Sequence, residues 1–157
     1  MEIKLDPLDD GKVIALLEEH LSDMYAMSPP ESVHALDIAE LKSDEVTFFS
    51  CWLQDELMGC IALSKLDSSH AELKSMRTSK NSRNKGIASA LLQHTIGFAR
   101  QNGFSRLSLE TGSHAYFKPA RNLYRKFGFQ YCGSFADYAQ DPYSKFMTLD
   151  LSELKLS

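Results

Sequence analysis

The hexapeptide Arg83-Asn84-Lys85-Gly86-Ile87-Ala88 is the stretch of this 157-residue sequence whose residue types and spacing point most directly to chemistry. It fits R-x-x-G-x-A and precedes a periodic apolar run, so it stands at the head of a helix. A helix N-terminus exposes unpaired N–H groups and the positive end of the macrodipole, and both attract anions. Gly86 leaves the backbone open to a bulky anion, while Arg83 and Lys85 add positive charge at the same place. A diphosphate is the natural guest; the competing reading is that Gly86 only relieves packing. No G-x-x-x-x-G-K-[ST] loop occurs, nor a G-x-G-x-x-G after a strand. H-E-x-x-H and G-x-S-x-G are also missing, which leaves zinc-peptidase and nucleophile-elbow chemistry without support. The five histidines (His20, His34, His70, His94, His114) have no metal-ligand spacing with one another or with the cysteines, so no metal is expected.

The elements that must position these residues follow from hydrophobic period and punctuation. A strand at Glu2–Leu5 leads to an amphipathic helix, in which Val13, Leu16, Leu17, His20, Leu21 and Met24 recur at three- and four-residue steps. Ser28-Pro29-Pro30-Glu31 stops it, and a shorter helix is expected through Val33–Leu41. Val46–Leu53 and Leu57–Leu66 read as a hairpin across Gln54-Asp55-Glu56. A strand at Ala71–Thr78 then feeds the glycine motif, with helical pattern from about Asn84 to Gly103. Arg106–Glu110 is a strand, Lys118–Lys126 a helix closed by Gly128, and Phe129–Cys132 and Lys145–Leu151 are the last strands. The interleaving predicts a mixed α/β fold with antiparallel hairpins at both ends, as one domain over residues 1–157.

Charge is unevenly spread over a net of −4. Residues 1–72 carry 16 acids and 4 bases, whereas residues 73–109 carry 7 bases and no acid. The reading is either two ligands of opposite sign or a chance of composition. The net negative charge argues against nucleic acid as a partner. No apolar run approaches the roughly 18 residues of a membrane span, and the start lacks a secretory layout. Cys51, Cys60 and Cys132 form no C-x-x-C, so they are expected to be mostly buried thiols of a reducing cytoplasm.

Arg83-x-x-Gly86-x-Ala88, followed by Ala120-Arg121-Asn122-Leu123-Tyr124-Arg125-Lys126-Phe127-Gly128-Phe129, resembles the GNAT superfamily of N-acetyltransferases. Ser28-Pro29-Pro30-Glu31-Ser32-Val33-His34-Ala35-Leu36-Asp37, Leu109-Glu110-Thr111-Gly112 and Asp141-Pro142-x-Ser144-x-Phe146-Met147 narrow the resemblance to the YsnE-like branch of bacterial acetyltransferases. It implies a single GNAT-like domain with a mixed, mostly antiparallel sheet, splayed centrally, and helices on both faces. It also implies acetyl-coenzyme A as cofactor and a small-molecule or peptide amine as acceptor, in a cytoplasmic monomer or homodimer without membrane attachment. A non-catalytic acyl-coenzyme A sensor module is the alternative, and the use of longer acyl donors stays open.

The residue roles implied are these. The pyrophosphate lies on Arg83, Asn84, Lys85, Gly86, Ile87, Ala88 and Ser89, with Lys80 reaching towards the 3′-phosphate. A backbone N–H of the strand ending Met76-Arg77-Thr78 stabilises the oxyanion, most naturally at Met76 or Arg77. Tyr124 protonates the departing thiolate, unless it only packs helix against sheet. Glu72 stands eleven residues before Arg83 where related enzymes carry a base, but Lys74 shares its strand face, so an ion-paired or orienting role competes; Glu110 is the other base candidate. Met24, Tyr25, Ser28, Glu31 and His34, with Glu110, are the acceptor-side candidates, and Asp141-Pro142 could close the far side. Phe117 replaces an asparagine often found in the family seven residues before the tyrosine, which alters the cofactor contacts of that helix.

Overall fold

A computed structural model of the chain describes residues 1–34 and 37–154. The strands are β1 (Glu2–Leu5), β2 (Val46–Leu53), β3 (Glu56–Lys65), β4 (His70–Thr78), β5 (Arg106–Gly112), β6 (Gln130–Cys132) and β7 (Ser144–Asp150). They form one seven-stranded sheet in the order β1-β2-β3-β4-β5-β7-β6, antiparallel throughout except for the β4–β5 pair. The helices are α1 (Gly11–Met27), α2 (Ile38–Leu41), α3 (Ile87–Gln101) and α4 (Lys118–Lys126), with short 3-10 turns between. The parallel pair is joined through α3, as a parallel crossover requires.

Alternation along the central strands builds two cores. Phe49, Cys51, Ile61 and Leu63 face α3 and α4, meeting Leu91, Leu92, Ile96 and Tyr124. Their neighbours Phe48, Trp52, Cys60 and Ala62 face the other way, onto Val13, Leu16 and Leu17 of α1 and Leu41 of α2. Helices therefore flank both faces, as expected. Gly59 lets α3 approach: a Cβ there would stand 2.8 Å from the Arg77 carbonyl and 3.1 Å from Leu91 Cδ1.

Three expectations need correction. The helix expected through Val33–Leu41 covers only Ile38–Leu41, because Asp37 and Glu40 form a reciprocal capping box that sets its start. Pro30–Ser32 is a 3-10 turn, Val33 is extended, and Ala35 and Leu36 lie outside the described residues. The glycine-motif helix begins at Ile87 rather than Asn84, since Asn84 and Gly86 adopt left-handed φ of 64° and 80°. Cys132 is exposed, on a three-residue edge strand with no buried position; Cys51 and Cys60 are buried.

Two irregularities of β4 create the site. Its pairing with β5 runs only from His70↔Arg106 to Leu73↔Leu109, although both strands continue. On its other edge the register jumps from Ala62↔Lys74 to Cys60↔Arg77, leaving Ser75 and Met76 opposite the single residue Ile61. This is a β-bulge, and Ser75 takes a left-handed φ of 55° within it. The sheet is thus splayed at its centre, with bulged backbone facing the gap.

Candidate active site

The gap opens into two connected spaces. A groove of about 540 Å³ runs along Met76, Arg77 and Thr78 of β4, past Arg83, Asn84 and Gly86, to Ile87, Ala88 and Ser89 at the head of α3. Tyr116, Phe117, Ala120 and Leu123 form its opposite wall. The left-handed turns at Asn84 and Gly86 curl the chain so that the first amides of α3 border the groove, and no atom stands within 4 Å of where a Gly86 Cβ would point. Lys85 and Lys80 are exposed and do not line it.

A smaller cavity of about 100 Å³ lies between the splayed halves of β4 and β5. Of the expected residues, Met24, Ser28, His34, Glu72, Glu110 and Tyr124 line it. Tyr25 (50% exposed) and Glu31 do not. For Tyr25 the reason is helical geometry: His20 and Met24, four residues apart, share the face of α1 that meets the cavity, and Tyr25 is about 100° further round. That spacing is the signal for His20, which the sequence reading placed on the periodic face of the helix without naming it as a lining residue. His20, Met76, Phe117 and Ala120 line both spaces, so groove and cavity are continuous.

Polar side chains around the cavity are tied into small networks. Lys74 Nζ lies 3.2 Å from Glu72 Oε2 and donates to the Tyr138 hydroxyl at 2.7 Å; that hydroxyl donates to the same Glu72 oxygen at 2.5 Å. The ion pair anticipated from the strand alternation therefore exists, and Tyr138, contributed from 64 residues away, completes it. Burial and the Glu72 charge hold the Tyr138 phenol far above its ordinary range. Glu110 Oε2 accepts from Ser144 Oγ at 2.6 Å and stands 3.3 Å from His34 Nδ1. Ser32 Oγ donates to Asp141 Oδ2 at 2.5 Å, which joins the Pro-rich turn to the segment before β7. Tyr124 is buried, its ring 5.8 Å from Phe129, and its hydroxyl has no hydrogen-bond partner among the described residues. Burial alone pushes this phenol well up.

The Arg77 side chain is 5% exposed and is held by carboxylates of α1. It pairs with Glu19 and, at 2.8 Å, with Asp23 Oδ2, while the Tyr116 hydroxyl donates to Asp23 at 3.1 Å. This cluster clamps α1 and the turn before α4 onto β4. Hydrogen bonding from Arg77 holds the Asp23 carboxyl below the usual range.

Burial, with the Arg77 guanidinium second, pushes His20 down to about 4. An unfolded chain keeps this ring near its ordinary 6.5, so between those values the unfolded state binds more protons than the folded one. The associated stability is complete above 6.5 and is lost as pH falls towards 4. The full loss amounts to about 3 kcal/mol. Denaturant titrations should therefore find His20→Gln flattening the fall in unfolding free energy across that window; parallel curves for both proteins would contradict this.

Among the described residues no group of three or more His, Cys, Asp or Glu could hold a metal ion, and no helix is long and apolar enough to cross a membrane.

The chain matches the Acetyltransferase (GNAT) family over residues 13–129 and belongs to it. It is 56% identical over 151 residues, 96% of this chain and 100% of the relative, to the N-acetyltransferase YsnE of Bacillus subtilis (strain 168), itself uncharacterized. The N-acetyltransferase YedL of Escherichia coli (strain K12), likewise uncharacterized, is 48% identical over 151 residues, 96% of this chain and 95% of its own length. Among solved structures, a Klebsiella pneumoniae protein assigned as an acyl-CoA N-acyltransferase superposes with a TM-score of 0.76 at 26% identity, covering 96% of this chain and 97% of the other. An acetyltransferase from Bacillus subtilis in complex with CoA gives 0.66 at 20% identity over 95% and 97%.

Proposed function

We propose that this GNAT-family acetyltransferase moves an acetyl group from acetyl-CoA to the amine of a small molecule or a peptide end. The observation that carries the reading is the continuity of the groove at the head of α3 with the polar cavity beside Tyr124. A long donor threaded along the groove would present its reactive end where an acceptor can enter from the other side. CoA seen in a fold relative supports the choice of donor.

The groove fits that ligand. The open space over Gly86 admits a diphosphate to the first amides of α3, with Arg83 alongside. When bound, acetyl-CoA supplies an acyl group activated by a thiol leaving group. The backbone N–H of Met76, at the bulge and on the wall of both spaces, is suited to stabilise negative charge on the acyl oxygen. Tyr124 holds a proton ready for sulfur. Glu72 has both its donors on Oε2, leaving Oε1 to orient an ammonium.

Release of free thiol, followed across a panel of primary amines and peptides, tests the function. Amine-dependent turnover is expected. Tight CoA binding without turnover on any acceptor would favour a sensor module instead.

A further inference from the structure

We infer that His34, held by Glu110, is the proton acceptor for the incoming ammonium, and that Glu72 orients the ammonium without deprotonating it; this rests on the acetyl-transfer reading above. The argument begins at Glu110, which is 10% exposed. A carboxylate only accepts hydrogen bonds, and this one already receives Ser144 Oγ on Oε2. The His34 nitrogen facing the same oxygen at 3.3 Å, Nδ1, must therefore carry the hydrogen. In the neutral ring the lone pair is then on Nε2, which has no partner among the described residues, and the ring lines the acceptor cavity. Tyr138 braces it edge-on, with ring centroids 5.0 Å apart. A carboxylate on one ring nitrogen and an open lone pair on the other is the arrangement by which a histidine takes a proton and keeps the resulting charge balanced.

The other titratable groups around the cavity are less suited to take the proton. Glu72 Oε2 is occupied by Lys74 and Tyr138. His20 sits beside the Arg77 guanidinium, which disfavours an imidazolium there. The groups facing His34 are Glu110 from β5, Tyr138 and Asp141 from the segment between β6 and β7, and, through Tyr138, Glu72 and Lys74 of β4. Two carboxylates nearest the ring thus stand ready to balance its positive charge.

The protons balance as follows. His34 Nε2 takes one of the three ammonium protons. The freed lone pair forms the C–N bond, and the C–S bond breaks with its electron pair left on sulfur. Tyr124 gives its phenolic proton to that sulfur and recovers the second nitrogen proton. The third stays on the amide, and the imidazolium discharges to water.

Two measurements test the assignment. Long-range proton–nitrogen correlation NMR on the ligand-free protein should find neutral His34 protonated on Nδ1. Finding the Nε2-protonated form overturns the assignment. On the best amine from the panel, His34→Gln should lower kcat/KM by roughly 10²–10⁴ and remove the acidic limb of the pH profile, with CoA affinity unchanged. Glu72→Gln should raise KM and keep that limb. A limb kept in His34→Gln and lost in Glu72→Gln overturns the proposal. No turnover with any amine in a CoA-binding protein overturns the acetyl-transfer reading along with it, whereas the wrong tautomer in an active enzyme overturns only the role of His34.

Discussion

Tyr124→Phe is expected to lower kcat by roughly 10²–10⁴, the span of a lost general acid, while folding and CoA affinity stay at wild-type values. The substitution keeps the ring that packs against Phe129 and removes only an oxygen. Because that hydroxyl has no partner among the described residues, its loss leaves no buried donor or acceptor orphaned there. Burial shapes the chemistry further. It pushes the phenol well above its ordinary range, which favours the protonated form that a proton donor to sulfur needs. Pre-steady-state measurement of thiol release and of the steady-state rate decides the matter. A variant keeping more than about half of wild-type kcat, with chemistry limiting, removes Tyr124 from the mechanism.

Local pattern carried much of this architecture. Glu2–Leu5, Val46–Leu53 and Lys118–Lys126 have the bounds that period and punctuation predict, because each is decided by residues within its own turn or strand. The groove at the head of α3 draws on residues that are close in sequence for a similar reason: Arg83, Gly86 and the first residues of the helix lie within seven positions. What escaped depends on distant partners. Tyr138 reaches Glu72 across 66 residues, and Ser32 reaches Asp141 across 109. Nothing in the residues around Arg77 announces that Glu19 and Asp23 capture its side chain. The bulge at Ser75 and Met76 is a property of two strands in register, invisible in either alone. Tyr25 and Glu31 were assigned to the acceptor side by their place in the chain, and the helix phase of α1 turns Tyr25 away.

Gly86→Val should abolish CoA binding, and its interpretation depends on separating two effects that meet at this residue. Gly86 is the N-cap of α3 at φ 80°, a conformation that costs an L-residue roughly 1–2 kcal/mol and a β-branched one more. A side chain there also enters open space at the mouth of the groove, where a diphosphate would meet the first amides of the helix. Valine imposes both penalties together. Asparagine tolerates left-handed φ, so Gly86→Asn fills the same space with little backbone strain. Calorimetry should give Gly86→Asn a melting temperature within a few degrees of wild type. The same variant should lose CoA affinity by 100-fold or more, which corresponds to about 2.7 kcal/mol. Gly86→Ala, with one methyl and the strained φ, should fall between. Wild-type CoA affinity in folded Asn and Val variants would refute the phosphate site, because both side chains must then occupy the space that the ligand was assigned.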